Sequence, residues 1–211
     1  MTVKTFIFNP VQENTYVVFD ETREAAIIDA GCISENERRQ IDGFIAHNNL
    51  KIEHLLNTHS HFDHILGNKY IAQKYGVQPE AHKDDEFMVS SMGSILRSLG
   101  IQLNAESEPI GIYLTENDTV KFGNSEFKIL HVPGHSPGSL CFYNEKDGIL
   151  FSGDVLFRGT VGRTDFQYGD YNSLITNIQQ KLMPLPNDVI VYPGHGTPTT
   201  IGIERETNPY L

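Results

Sequence analysis

Four side chains that commonly bind metal ions fall within six residues of this chain. His59, His61, Asp63 and His64 directly follow an apolar stretch that predicts a strand over 52–57. In an extended segment, side chains i and i+2 lie on one face, so His59 and His61 can converge on one ion. Asp63 and His64 fall where a helix is predicted to begin. The turn of the chain there can direct their side chains toward a second metal position. Imidazole and carboxylate groups suit zinc, iron or manganese, so the cluster predicts a metal site.

Three more candidate ligands each follow a glycine at the end of an apolar stretch. They are His135 after Gly134, Asp154 after Gly153, and His195 after Gly194. Glycine lets the backbone turn sharply at a strand end and lets the next side chain enter a crowded site. Ligands at the ends of several strands, at one edge of a sheet, can form one site from distant parts of the sequence.

The other histidines have weaker signals. A single histidine is more often a packed or surface residue than a ligand, and we interpret His47, His54 and His82 in that way. His131 lies close to His135 in sequence, so we regard it as a candidate outer partner of a ligand.

Hydrophobic patterning predicts the elements that position these residues. Strands are predicted at 5–8, 15–19, 25–29, 52–57, 77–81, 119–122, 126–132, 139–143, 149–156 and 189–192, and helices after Ser34 and at 65–75, 83–99, 171–182 and 201–206. Ser34 and Glu37 have capping-box spacing, and Gly76 predicts a helix end. Pro79 predicts that its strand lies at a sheet edge. The order of strands and helices indicates a layered α/β fold.

The composition limits the classes of protein to consider. The chain has 211 residues, 39% of them hydrophobic and 20% charged, which suits one globular domain over 1–211. No apolar run approaches the roughly 18 residues of a membrane span, and no secretory signal is recognisable. The net charge of -11 disfavours nucleic acid as a partner. Cys32 and Cys141 are far apart, and we expect two free thiols in a reducing cytoplasm.

The pattern H-x-H-x-D-H followed by a histidine, an aspartate and a histidine resembles the metallo-β-lactamase superfamily. This resemblance implies an αββα sandwich of two mixed β-sheets flanked by helices. It also implies two divalent metal ions, zinc first, with iron and manganese as alternatives. By the same resemblance His59, His61 and His135 hold the first ion, Asp63, His64 and His195 hold the second, and Asp154 bridges both.

One branch of the superfamily is more similar than the others. The segments 133–139 and 153–166 and the ending 204–210 resemble the short, single-domain hydroxyacylglutathione hydrolases, or glyoxalase II-like thioesterases. The chain lacks the C-terminal helical domain of the longer enzymes and carries Thr197 where they have a glutathione-binding tyrosine. Arg163 occupies the position of a basic glutathione contact, and it either binds substrate or pairs with a carboxylate such as Asp165.

The resemblance implies hydrolysis by a hydroxide generated at the metal ions, with Asp63 and Asp154 as catalytic residues. A thioester suits such a site, because a thiol with a pKa of roughly 8.5 leaves without a strong acid. Two divalent ions with two aspartates and a hydroxide leave a net charge of about +1 at the centre. This charge favours a small anionic thioester as substrate. We expect no nucleic acid or membrane as partner. A superfamily β-lactamase often has cysteine at the position of Asp154, which argues against that activity.

Other activities remain open on this fold. Persulfide dioxygenases resemble the chain over 162–166 and hold a single iron through residues that match His59, His135 and Asp154. Hydrolysis of a lactone or another ester is a third reading. A non-catalytic binding module would predict damaged ligands, whereas all seven are intact. The segment 83–109 is predicted to form the pocket wall, where Met88, Met92 and Leu96 either face the acyl group or fill the core.

Overall fold

Two six-stranded β-sheets form the centre of the computed structural model, which describes residues 1–98, 100 and 108–211. The strands are β1 (Thr2–Phe8), β2 (Glu13–Phe19), β3 (Glu24–Ile28), β4 (Lys51–Leu56), β5 (Pro79–Ala81), β6 (Ile112–Tyr113), β7 (Thr119–Phe122), β8 (Ser125–His131), β9 (Leu140–Asn144), β10 (Ile149–Gly153), β11 (Leu156–Phe157), β12 (Thr160–Val161), β13 (Ile190–Pro193) and β14 (Thr199–Thr200). The helices are α1 (Glu35–His47), α2 (Phe62–Ile65), α3 (Asn68–Tyr75), α4 (Glu86–Ser98), α5 (Tyr171–Asn177) and α6 (Ile201–Thr207).

Both sheets mix parallel and antiparallel strands. The first has the order β1-β2-β3-β4-β5-β6, and it changes from antiparallel to parallel pairing after β3. The second has the order β14-β13-β10-β9-β8-β7, in which only β13 and β10 are parallel. Strands β11 and β12 form a separate hairpin.

Apolar side chains fill the space between the sheets and also cover their outer faces. On β2, Tyr16 and Val18 belong to the cluster between the sheets, whereas Val17 points to the opposite face, as the two-residue period of a strand requires. On that outer face, α1 covers the first sheet through Ile41 and Ile45. On the second sheet, α5, α6 and a π-helix at Ile178–Leu182 form the outer layer. The four layers are the predicted αββα sandwich.

Local sequence signals account for several element boundaries. The side chain of Ser34 accepts a hydrogen bond from the backbone of Glu37, and the Glu37 carboxylate accepts one from the backbone of Ser34. This capping box starts α1 where the spacing predicts it. Helix α3 ends at Gly76, whose φ of 74° is left-handed, as predicted for the stop.

Several predicted elements differ from those observed, and three short strands were not predicted. The strand of Pro79 is not an edge strand, because β6 pairs beyond it; proline is tolerated there as the first residue of β5. The predicted strand 149–156 ends at Gly153 and resumes as β11. The predicted helix 171–182 divides into α5 and the π-helix. The patterning did not reveal β6, β12 and β14, which have only two residues each.

The segment 83–109 begins with a 3-10 helix at Lys83–Asp85 and continues as α4. Positions 99 and 101–107 of that prediction lie outside the described residues. Met88, Met92 and Leu96 are buried, and the last two pack with Ile65 and Leu66, which favours their role in the core.

Two further observations bear on the sequence predictions. Cys32 and Cys141 are both buried and free, as expected. Within the part of the chain that the structure describes, no helix has the length and apolarity needed to cross a bilayer.

Candidate metal centre

Loops from both sheets bring the seven candidate ligands to one place. The loop after β4 and the short helix α2 carry His59, His61, Asp63 and His64, while His135, Asp154 and His195 follow β8, β10 and β13. The ring centroids of His59, His61 and His135 lie 4.6–4.9 Å from one another. These three residues form one group that could hold a metal ion, and Asp63, His64 and His195 form a second.

The Asp154 carboxylate lies between the two groups. Its Oδ1 is 3.5 Å from Nε2 of His64, and its Oδ2 is 3.6 Å from Nε2 of His135 and 3.7 Å from Nε2 of His195. In the second group, Oδ2 of Asp63 is 3.2 Å from Nε2 of His195. One carboxylate therefore reaches ring nitrogens of both groups, which is the arrangement needed to bridge two cations.

Unpaired buried atoms show that these residues fit metal ions. Nε2 of His59, Nε2 of His64 and Oδ1 of Asp154 are buried and have no hydrogen-bond partner among the described residues. Such atoms cost roughly 1–3 kcal/mol each when they are left unpaired. Nitrogen and carboxylate oxygen donors that face one small space are the ligands of divalent transition metals, and two cations there would satisfy all three atoms.

Each histidine of the centre has one ring nitrogen engaged by a partner outside it. The contacts are Nδ1 of His59 with Oγ1 of Thr58 (3.1 Å), Nε2 of His61 with the hydroxyl of Tyr168 (2.8 Å), Nδ1 of His64 with Asp29 (3.0 Å), Nδ1 of His135 with the carbonyl of Arg163 (2.8 Å), and Nδ1 of His195 with the carbonyl of Gln12 (3.2 Å). These contacts orient the rings and leave the other nitrogen for the centre.

Asp29 is a site residue that our sequence analysis missed. It is buried, faces His64, and accepts hydrogen bonds from the backbone and side chain of Thr58 at 2.7 and 2.6 Å. It therefore supports both the first loop and a candidate ligand. The signal in the sequence was weak, since Asp29 ends an apolar stretch but does not follow a glycine as the strand-end candidates do.

Two of the glycines before ligands are required by their surroundings. A Cβ at Gly194 would lie 2.2 Å from Oδ1 of Asp154 and 2.7 Å from Cε1 of His64, so a side chain there would block the centre. Gly153 has a φ of 50°, in the left-handed region, and a Cβ on it would lie 2.3 Å from Oγ1 of Thr58. The side chain of Asn14 on β2 binds the carbonyls on either side of the His195 loop, which joins that loop to the first sheet.

The electrostatics keep the first group neutral and the second group charged. Burial and the neighbouring histidines lower the pKa of His59, and burial lowers that of His61 to about 3. Burial opposes ionisation of His64, but Asp63 and Asp154 raise its pKa. Burial likewise opposes ionisation of Asp63, yet His64 and His195 hold its pKa below the usual range. Metals bind neutral imidazoles and ionised carboxylates, so an ion at the second group would displace the proton that Asp63 and Asp154 stabilise on His64.

The remaining sequence candidates lie outside this centre. The side chain of Arg163 is exposed, pairs with Asp165 through two contacts of 2.7 Å, and lies over the ring of Phe166. His131 stacks on His82 with ring centroids 4.2 Å apart and bonds to the carbonyl of Pro137, and neither of these partners is a candidate ligand. Of the two roles predicted for Arg163, the ion pair with Asp165 is the one that this geometry fits.

Two mixed sheets between helical layers, with histidines and aspartates collected from both sheets, define a class of metal-binding α/β protein. The family model for the metallo-beta-lactamase superfamily matches residues 8–195. The chain therefore belongs to the metallo-β-lactamase superfamily, and the activity that accompanies this family and site is metal-dependent hydrolysis.

Similar proteins cover the whole chain. Hydroxyacylglutathione hydrolase GloC of Haemophilus influenzae is 35% identical over 212 residues, which span 100% of this chain and 98% of that protein. The crystal structure of BLEG-1 B3 metallo-β-lactamase matches with a TM-score of 0.90 at 33% identity, covering 100% and 99% of the two chains. That of TTHA1623 in a di-iron-bound form matches with a TM-score of 0.86 at 33% identity, covering 100% of both.

Proposed function

We propose that the protein is a thioesterase of the hydroxyacylglutathione hydrolase type that uses two metal ions. The observation that carries this proposal is the position of Asp154, whose carboxylate reaches histidines of both ligand groups. The full-length similarity to GloC supports the substrate class. We propose zinc as the metal, with iron as the main alternative because TTHA1623 was solved in a di-iron-bound form.

The chain's own residues account for most of the requirements of such a reaction. His59, His61 and His135 would hold one ion, Asp63, His64 and His195 the other, and Asp154 would contact both. When bound, divalent ions supply hydroxide at neutral pH and polarise the acyl carbonyl. The Asp63 carboxylate can accept a hydrogen bond from an entering water and orient it.

The leaving group and charge favour a small anionic thioester. A thiolate leaves without a proton donor, since an ordinary thiol has a pKa of roughly 8.5. With the chain at -11, a centre that carries a small positive charge would attract a carboxylate-bearing substrate. The two free cysteines suit a reducing cytoplasm, where we place the reaction.

The proposal predicts hydrolysis of S-lactoylglutathione by protein that contains two metal ions per chain. We expect a kcat/KM of about 10⁴ M⁻¹s⁻¹ or more, and loss of that activity when a chelator removes the metal. Elemental analysis and a thiol-release assay on one sample measure both quantities. Fully loaded protein that leaves this thioester intact would refute the substrate class. One iron per chain, together with oxygen uptake on a persulfide, would favour the dioxygenase instead.

Substitution of Arg163 tests whether its side chain also binds the anionic substrate. If it does, Arg163→Ala should raise KM for S-lactoylglutathione up to about fivefold, which corresponds to an exposed ionic contact of up to about 1 kcal/mol. Asp165→Asn should lower KM, because it frees the guanidinium from its pair. Arg158→Ala, at another exposed arginine, serves as the control. Unchanged KM values in all three variants would leave Arg163 with its ion pair alone.

A further inference from the structure

The contact between His61 and Tyr168 differs from the other outer contacts of the centre. In the other four histidines the outer nitrogen is Nδ1, whereas in His61 it is Nε2. The partner of His61 is a side-chain hydroxyl of the loop between β12 and α5, whereas the same loop meets His135 through the backbone carbonyl of Arg163. Tyr168 is half-buried, and our sequence analysis did not single it out.

The ring of His61 is oriented so that Nδ1 faces the centre. Nδ1 lies 2.9 Å from Nε2 of His135, which is itself 3.6 Å from Asp154. An imidazole binds a cation only through a nitrogen without a proton, so a His61 ligand must carry its proton on Nε2. That N–H points at the Tyr168 hydroxyl, 2.8 Å away, which can accept it.

We propose that Tyr168 is a positioning residue of the metal centre, which holds His61 in the tautomer and orientation that present Nδ1 to the first metal ion. This proposal rests on the metal centre proposed above. Together with the Arg163 carbonyl at His135, it makes the loop before α5 a support for two candidate ligands of the first metal ion.

Aromatic packing holds the Tyr168 ring in place independently of its hydroxyl. Its ring stacks on Phe166 with centroids 5.6 Å apart and meets the edge of Phe87 on α4 at 5.3 Å. Phe166 in turn packs against His61 at 4.9 Å. A phenylalanine at position 168 keeps these contacts, so Tyr168→Phe removes the hydrogen bond with little change in packing.

The test compares metal affinity in wild-type protein and Tyr168→Phe by chelator competition, without substrate. We expect one of the two metal ions to bind about 10- to 100-fold more weakly in the variant, as is typical when an outer partner of a ligand is lost. The urea unfolding curves of the metal-free wild type and the metal-free Tyr168→Phe variant should coincide. Long-range proton–nitrogen NMR spectra of the zinc-loaded wild type should show the His61 proton on Nε2.

Tyr113→Phe is the matched control, because Tyr113 donates its hydroxyl to Glu86 at 2.7 Å at the exposed start of α4. It should bind both ions with wild-type affinity. Equal affinities in Tyr168→Phe and Tyr113→Phe, or a His61 proton on Nδ1 in the loaded wild type, would overturn the proposal for Tyr168 and leave the centre intact. A wild type that binds no metal would overturn both proposals.

Discussion

Asp154→Asn is expected to lower the metal content from two ions per chain to one or none and to reduce thioester turnover by on the order of 10³-fold. The reason is that this carboxylate lies between both ligand groups, within 3.5–3.7 Å of three imidazoles. An amide keeps the volume and loses the charge that would bind two cations. Metal-assisted catalysis supplies several kcal/mol, and each 1.4 kcal/mol or so is tenfold in rate.

Elemental analysis and steady-state kinetics on the same preparation measure this effect. Asp188→Asn provides a control, since it makes the same chemical change at an exposed position. It should keep both ions and full turnover. If Asp154→Asn also kept two ions and wild-type turnover, Asp154 would not be a bridging ligand and the proposed centre would be wrong.

Asp85→Ala is expected to lower the free energy of unfolding by about 3–5 kcal/mol, the range for breaking a buried polar network. Asp85 is fully buried and joins the two loops that carry His59, His61 and His135. Its carboxylate accepts hydrogen bonds from the backbone of Ser60 at 3.0 Å, the hydroxyl of Ser136 at 2.8 Å and the backbone of Gly138 at 2.6 Å. Alanine leaves all three donors without this partner.

Urea denaturation in the presence of a chelator measures the intrinsic change. Burial raises the pKa of Asp85 to about 6, so a measurement at pH 8 keeps the wild-type carboxylate ionised. The neighbouring Asp84 is exposed, and Asp84→Ala should change the unfolding free energy by less than about 1 kcal/mol. Equal stability of the two alanine variants would show that Asp85 does not hold the ligand loops together.

Local signals in the sequence were sufficient to predict the parts of the fold that depend on near neighbours. The capping box of Ser34 and Glu37 and the glycine end of α3 depend on residues a few positions apart, and both are observed. The resemblance to the metallo-β-lactamase superfamily is confirmed by the family match. The edge position of Pro79 was wrong, because the strand that covers it has only two residues and no recognisable pattern.

The supporting residues of the site were harder to predict than the candidate ligands. The seven candidates share a compact motif or a strand-end glycine, and the structure brings all seven together. Asp85 and Tyr168 have no such local signature, because their partners lie up to 53 and 107 residues away in sequence. Only the tertiary structure places them against the loops that they support.

The division of the candidate ligands between the two sheets has a consequence for the stability and the cellular abundance of the protein. Ions held by His59 and His64 on one side and by His135 and His195 on the other would cross-link the two halves of the sandwich. Free metal at 100 times its dissociation constant would then add about 2.7 kcal/mol to the folded state for each ion. Metal starvation would increase the unfolded fraction available to proteases, so the metal supply would govern the abundance of the protein as well as its turnover.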